Sequence, residues 1–474
     1  MNTENIARPQ LTLLSPTQID QVYRAALDIL WSVGLRVDAP WARQLFVQAG
    51  AKGVGDRIRI QPELIEWART QTPSRIDLYG RRGAPAFTLG GAPTRFGVGV
   101  TALHYQDPLS GDVTPFGREH LARVVRLGQA LPAFDVISTP GILHDRPPAL
   151  ADLYAALDMA ANAVKPLVLL VSEERRFGDV LDLLEHLGGD LGRHPFALAY
   201  VNPVTPLVLN AGTADKMKQA IERGVPLIFS NYGMAGATTP IVPGGALALL
   251  HAELLVGLAL AQVIRPGAPV VLGSLPAQFA MRAMQPTYGT TSYLLNLACA
   301  ELIAHLGLPH CGTSGSGMGW DADLLAAGHQ WINHLTACIG KVGLAPFVGS
   351  TLGDLAFSPA LLVYADEVIA LARRFAGGLG LEIDLDEIAG VGPAGDFIGT
   401  ESTLRGYRKA LESSEIWPRL SPDGWQAEGR PQAIEKLRAR TQTLLETSRP
   451  PADHDELTAR GEAFIRRLSQ FGQD

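Results

Sequence analysis

Three runs in the middle of the chain, Pro166-Leu-Val-Leu-Leu-Val171, Phe196-Ala-Leu-Ala-Tyr-Val201 and Val225-Pro-Leu-Ile-Phe229, decide the fold. Each is continuously apolar, the pattern of a parallel strand covered on both faces rather than the alternation of a half-exposed one. An amphipathic helical stretch separates successive runs. The same rhythm extends outward, to Phe134-Asp-Val-Ile-Ser138 on one side and to Pro269-Val-Val-Leu-Gly273, Leu308-Pro-His-Cys311 and Ala345-Pro-Phe-Val348 on the other. Repeated βα units of this kind predict a closed (β/α)8 barrel, an α/β TIM barrel, in preference to an open doubly wound sheet. No G-x-G-x-x-G follows the first run, as a dinucleotide-binding sheet would require.

The rhythm begins near Phe116, so the barrel is assigned to residues 116–417. Residues 1–115 form an N-terminal accessory region. Its first helix, over 15–34, starts at Ser15, carries Ile19, Val22, Ala26 and Ile29 on one stripe, and stops at Gly34. Helices over 38–50 and 61–72 follow, and Asp107-Pro-Leu-Ser-Gly111 is the turn of a hairpin. Residues 418–474 read as a helical C-terminal appendage. Residues 244–264 are apolar on nearly all faces, but His251 and Glu253 leave only 254–264 free of polar interruption. That is short of the roughly 20 residues a membrane span needs, so a helix buried in the core is expected.

Composition narrows the function. The chain has 474 residues, 47% hydrophobic and 18% charged, with a formal net charge of -7. Such a balance excludes global disorder and offers no basic field for nucleic acid; electrostatics favour a cation as ligand. Cys299, Cys311 and Cys338 are odd in number and lack C-x-x-C spacing, which fits a reducing compartment. The polar N-terminus has no signal-peptide core, and a cytoplasmic location is expected.

In a barrel the site lies at the C-terminal strand ends. There the chain reads Val201-Asn202-Pro203, Phe229-Ser-Asn-Tyr232-Gly-Met234, Gly273-Ser-Leu-Pro276 and His310-Cys-Gly-Thr-Ser-Gly-Ser-Gly317. Amides and hydroxyls dominate, and neither a nucleophile elbow nor H-E-x-x-H occurs. His310-Cys311 has no second ligand pair at motif spacing, so no metal is assigned, and His310 reads as a substrate contact or a packed side chain. The glycine-rich run from Gly312 to Gly319 lacks a phosphate-binding lysine; close approach of a flat bulky ligand is the competing reading. Tyr200, Tyr232, Tyr288, Trp320 and Tyr364 fall near strand ends. A methylated cation has no N–H to donate and is held by π faces, so an aromatic box is indicated. Arg282 is either a clamp for a carboxylate on the same ligand or a structural arginine. The expected substrate-binding set is therefore Asn202, Tyr232, Arg282, Tyr288, His310 and Trp320, with no residue assigned to catalysis.

Gly236-Ala-Thr-Thr-Pro240, the block from Ala252 through Arg265-Pro-Gly-Ala-Pro269 to Ser274, Asp107-Pro-Leu-Ser-Gly-Asp112, Met281-Arg282, Val363-Tyr-Ala-Asp-Glu-Val368 and Gly392-Pro-Ala-Gly-Asp-Phe397 together resemble the trimethylamine methyltransferase superfamily of corrinoid-dependent enzymes. No pyrrolysine is written, so the resemblance is to the branch whose members demethylate quaternary amines such as glycine betaine. It implies one-carbon metabolism of the methanogenic type, in which the enzyme moves a methyl group from a small methylated amine to the cobalt of a partner corrinoid protein. It also implies that the corrinoid (cobalamin) is supplied by that partner and not bound by the chain itself, and it allows a homo-oligomer. Gly315, Gly317 and Asp396 are the residues expected to face the corrinoid. The chain departs from the family pattern at three places: Asp396 where a His is usual, Thr290 within Tyr288-Gly-Thr-Thr291, and Asp321 within Asp321-Ala-Asp323. The alternatives are a diverged barrel acting on another methylated donor, and a non-catalytic protein that binds a small cation.

Overall fold

A computed structural model describes residues 6–91, 93–312, 317–411, 414 and 416–471. Eight parallel strands close a barrel: β1 Arg95–Val98, β2 Val136–Ser138, β3 Leu167–Leu170, β4 Ala197–Val201, β5 Leu227–Ala235, β6 Val270–Ala280, β7 His310–Gly312 and β8 Leu344–Val348. Each pairs with its neighbour in chain order, and β8 returns to β1 through Leu344↔Arg95 and Val348↔Val98. The helices after the strands are α1 Arg118–Ala130, α2 Pro148–Asn162, α3 Phe177–Gly188, α4 Ala211–Glu222, α5 Pro243–Ile264, α6 Thr290–His305, α7 Leu324–Ile339 and α8 Pro359–Gly377.

The predicted (β/α)8 barrel is present, but its first strand lies where an accessory region is expected: the barrel begins at Arg95, before 116. The reason is local. Arg95-Phe-Gly-Val98 opens on a charge and carries a glycine, so it shows no apolar run. Gly97 is required because a Cβ there would sit 2.6 Å from the Pro346 carbonyl oxygen and 2.6 Å from Val136 Cγ2, where β8 and β2 close in from either side. The hairpin around Asp107 pairs His104–Gln106 with Val113–Pro115 and thus belongs to the loop after β1. It also pairs His104 and Tyr105 with Ala356 and Phe357, joining the loops after β1 and β8 into one small sheet at the barrel mouth.

The N-terminal helices Pro16–Asp28, Pro40–Gln48 and Pro62–Gln71 lie against α5. Ser15 caps the first of them, its hydroxyl accepting from Gln18 N–H while the Gln18 side chain returns to the Ser15 N–H. The strand Leu35–Val37 joins Val208–Leu209 of the loop after β4, so the region is laced into the barrel. This packing explains why α5 is apolar all round. Barrel strands cover one side and the N-terminal helices the other, leaving it a core helix with His251 and Glu253 both buried. The C-terminal helices Ala433–Thr447 and His454–Phe471 pack on α8 and on α1, α2 and α3, with Arg81 paired to Asp453 and Arg118 to Glu462.

Candidate functional site

The lower barrel interior is filled by Val136, Val168, Leu198, Tyr200, Ile228, Val271, Cys311, Leu344 and Phe347, a dry floor. Above it, at the C-terminal strand ends, lies a cavity of about 310 Å³ bounded by Val100, Thr101, Leu170, Tyr200, Asn202, Tyr232, Leu275, Tyr288, Phe347 and Asp354. Strand alternation places several of these residues. Tyr200 and Asn202 are two apart at the end of β4, and Ile228 of the floor lies four residues before Tyr232 on β5, so each pair shares a face.

The wall carrying the tyrosines is unusually tall. β5 and β6 stay paired from Leu227↔Val270 to Ala235↔Gln278, and the end of β6 folds back on Gln285–Thr287. That reversal delivers Tyr288 opposite Tyr232, their hydroxyls 3.1 Å apart. On the other side, the turn after β8 brings in Asp354. Leu352 and Asp354 both hold positive φ, 54° and 69°, in the left-handed region that costs a non-glycine residue about 1–3 kcal/mol. The turn is pinned by its hydrogen bonds. Ser350 Oγ donates to Asp354 Oδ1 at 2.6 Å and accepts from the Gly317 N–H at 2.9 Å, and the Tyr288 hydroxyl lies close to the carboxylate. A Cβ on Gly317, itself at φ 71°, would stand 2.9 Å from Asp354 Oδ1.

Burial pushes the Asp354 carboxyl above the usual carboxylate range, against the opposing pull of the Ser350 hydrogen bond and the nearby Tyr288 hydroxyl. Burial, and then the neighbouring Asp354 charge, raises the Tyr288 phenol far above its ordinary value. Tyr200 is 4% exposed, and its hydroxyl has no hydrogen-bond partner in normal geometry although Ser230 and Asn202 are close by. Asn202 is fixed through Nδ2, which donates to the Ser230 carbonyl at 2.9 Å. Behind this wall, Glu253 of α5 accepts from Thr205 Oγ1, the Leu207 N–H and Asn231 Nδ2, and Ser274 Oγ donates to Asn231 Oδ1 at 2.6 Å. The network ties α5 to the middle of β5 and β6 and to the loop after β4.

Of the six expected substrate contacts, Asn202, Tyr232 and Tyr288 come together in the cavity, and Tyr200 of the wider aromatic set joins them. The other three do not. His310 alternates with Cys311; since Cys311 faces the barrel interior, His310 points outward beneath α6, 3% exposed, with neither ring nitrogen hydrogen-bonded. Burial lowers its pKa to about 3, so it is a neutral packed imidazole. Trp320 is 73% exposed and stands outside the cavity, its backbone carbonyl accepting from Gln106 Nε2. Arg282 is exposed on the turn past the end of β6, because that strand runs on to Ala280 and carries the turn beyond the cavity. Tyr364 packs edge-on against Trp417 and lines a separate cleft beside the C-terminal helices.

Among the residues expected to face a corrinoid, Gly315 lies outside the described residues. Gly317 is buried beside Asp354, and Asp396 is exposed, its carboxylate accepting from the Ile398 N–H. The departures from the family pattern lie outside the cavity lining as well. Thr290 opens α6, Asp321 pairs with Arg438 of the C-terminal region, and Asp323 caps α7.

Asp354 and Thr101 are the polar lining residues that the sequence reading misses. Thr101 follows the overlooked β1. Asp354 lies six residues beyond the run Ala345–Val348, so the strand-end rule applied to that last run reaches it.

A family model described as Trimethylamine methyltransferase (MTTB) matches residues 2–472. The chain belongs to that family. Among its relatives in the family, the glycine betaine methyltransferase of Desulfitobacterium hafniense strain Y51 is 25% identical over 481 residues, covering 98% of this chain and 99% of the relative. The trimethylamine methyltransferase MttB of D. hafniense strain DSM 10664 / DCB-2 is 23% identical, covering 94% and 91%. MttB2 of Methanosarcina mazei is 25% identical, covering 94% and 93%. In fold, the chain is similar to the crystal structure of the Methanosarcina barkeri monomethylamine methyltransferase MtmB, with a TM-score of 0.52 at 10% identity, covering 93% of this chain and 89% of that one.

Proposed function

We propose that this member of the methyltransferase family transfers a methyl group from a small methylated ammonium ion to the corrinoid of a partner protein. The observation that carries the reading is the cavity itself: three tyrosines and one carboxylate converge at the barrel mouth where a methylated cation would lie. Tyr232 and Tyr288 supply aromatic rings and Asp354 a carboxylate, the two means of holding an ion that has no N–H. Leu170, Leu275, Val100 and Phe347 complete an apolar wall that keeps water from the methyl groups.

The lining residues bind and orient; none is equipped to attack. The cavity holds no cysteine, lysine or histidine among its described lining, and the nearby Cys311 is packed in the floor with its thiol pushed up by burial. The acceptor must therefore come from outside, and a reduced corrinoid on a partner supplies a nucleophile strong enough for an unactivated N–CH3 bond. The C–N bond breaks with its electron pair left on nitrogen, so a quaternary ammonium departs as a neutral tertiary amine. No proton need be delivered to it. The chain's contribution is to hold the methyl in line and dry.

Calorimetric titration of the full-length protein tests the reading. Quaternary ammonium compounds are expected to bind more tightly than their singly demethylated counterparts. Equal or weaker binding of every quaternary member would refute the substrate class.

A further inference from the structure

We propose that Asp354 makes this site selective for methylated ammonium ions that carry no carboxylate, so that a cationic ammonium alcohol, and not a betaine, fits it. The inference rests on the function proposed above and concerns the charge of the substrate's other end.

Asp354 is the one charged group among the described lining residues, and no lysine or arginine stands there to receive a second carboxylate. Residues 313–316, which follow β7, read Thr-Ser-Gly-Ser and bring no charge by sequence. Arg282, the expected carboxylate clamp, is exposed on the turn past β6. A betaine in this cavity would thus place its own carboxylate near Asp354 with nothing to offset it. Like charges beside the apolar side chains of Leu170, Leu275 and Phe347 repel more strongly than in bulk water, because those walls lower the local dielectric.

The carboxylate is also held in place. Ser350 Oγ donates to it at 2.6 Å, and the Gly317 N–H donates to Ser350 Oγ at 2.9 Å and fixes that hydroxyl in turn. A cationic head beside Asp354 favours its ionised form against the upward pull of burial, so the group meets such a ligand as an anion.

The remaining polar groups in the cavity are neutral. The Tyr200 hydroxyl is more than nine-tenths buried and unpartnered, and Asn202 and Thr101 line the same space. Together these groups describe a ligand with a methylated cationic head and a short uncharged polar tail.

The experiment is calorimetry on the full-length wild type and Asp354→Asn, with choline, tetramethylammonium and glycine betaine as probes. The wild type is expected to bind choline at least about 30-fold more tightly than glycine betaine, with tetramethylammonium also ahead of the betaine. Asp354→Asn is expected to weaken both cations by at least about tenfold while leaving the betaine unchanged or tighter, so that the preference collapses. Glycine betaine binding as tightly as choline to the wild type would overturn the selectivity and leave the methylated-ammonium function standing. An equal loss for all three ligands in the variant would overturn the role given to Asp354. Absence of binding by all three probes to the wild type would overturn both readings together. The wild-type ratio needs no variant, so the proposal stays testable should Asp354→Asn fail to fold.

Discussion

Replacing Tyr232 separates the two things its side chain offers. It lines the cavity, and its hydroxyl bonds Tyr288 at 3.1 Å. Tyr232→Leu removes both; Tyr232→Phe removes only the hydroxyl. A cation over an aromatic face is stabilised by about 0.5–2 kcal/mol. At RT of about 0.59 kcal/mol, losing that term weakens binding roughly 2- to 30-fold. The Phe variant keeps the ring and loses only the hydroxyl contact to Tyr288, so its loss should stay under about threefold. Tetramethylammonium is the informative probe, because it forms no hydrogen bonds and reports on π face and charge alone. Calorimetry on the wild type and both variants gives the comparison, with a urea melt to establish that each is folded. Equal losses for Phe and Leu would show that the ring does not hold the cation, and the aromatic-box argument would fall with it.

Other consequences are as direct. His310→Leu should leave tetramethylammonium binding unchanged and stability equal or slightly higher, since both imidazole nitrogens are buried without partners. The wild-type histidine, held near a pKa of 3, opposes folding progressively as pH falls from about 6.5, where an unfolded histidine protonates, towards 3; the variant should lose that part of the acid sensitivity in urea melts. Loss of ligand binding in His310→Leu would contradict the outward placement of the ring. Gly97→Ala should cost about 1–3 kcal/mol, because its Cβ meets Pro346 and Val136 at 2.6 Å; an unchanged urea midpoint would argue against β1 lying between β2 and β8. Asp453→Asn should cost about 2 kcal/mol at pH 7 by breaking the bonds to Arg81 and Arg82. Those arginines depress the Asp453 carboxyl, so its contribution is complete above the unfolded value of about 3.9 and fades as pH falls below it. A wild-type advantage that persists undiminished as the medium is acidified well below that value would refute the pairing.

Much of the barrel was legible because strands buried on both faces write continuous apolar runs, and Phe196–Val201 and Val225–Phe229 are clear cases. The same property hides phase. A run apolar on both faces does not say which residue looks inward, and in Leu308-Pro-His-Cys311 that ambiguity put His310 in the lumen where Cys311 lies. β1 was missed for the opposite reason, since its glycine and its arginine are demanded by neighbours remote in sequence. Nearness to a strand end brings Asn202, Tyr232 and Tyr288 to the cavity, whereas Trp320 and Arg282 stand away from its lining. How far a strand continues past the barrel rim is set by pairing, as between β5 and β6, and pairing is not written in one strand alone. Asp354 depends on a left-handed turn held by Ser350 and Gly317, contacts that composition does not announce.

The central claim is that the methyl group leaves this cavity for a corrinoid carried by another protein. Mixing the purified chain with a methylated ammonium and a reduced corrinoid protein, while following the visible spectrum of the corrinoid, tests it most directly. The account predicts conversion to the methylated corrinoid, matched one to one by demethylated amine, only when all three components are present, and its suppression in Tyr232→Leu. Demethylation of the ammonium by the chain without any corrinoid protein would contradict it.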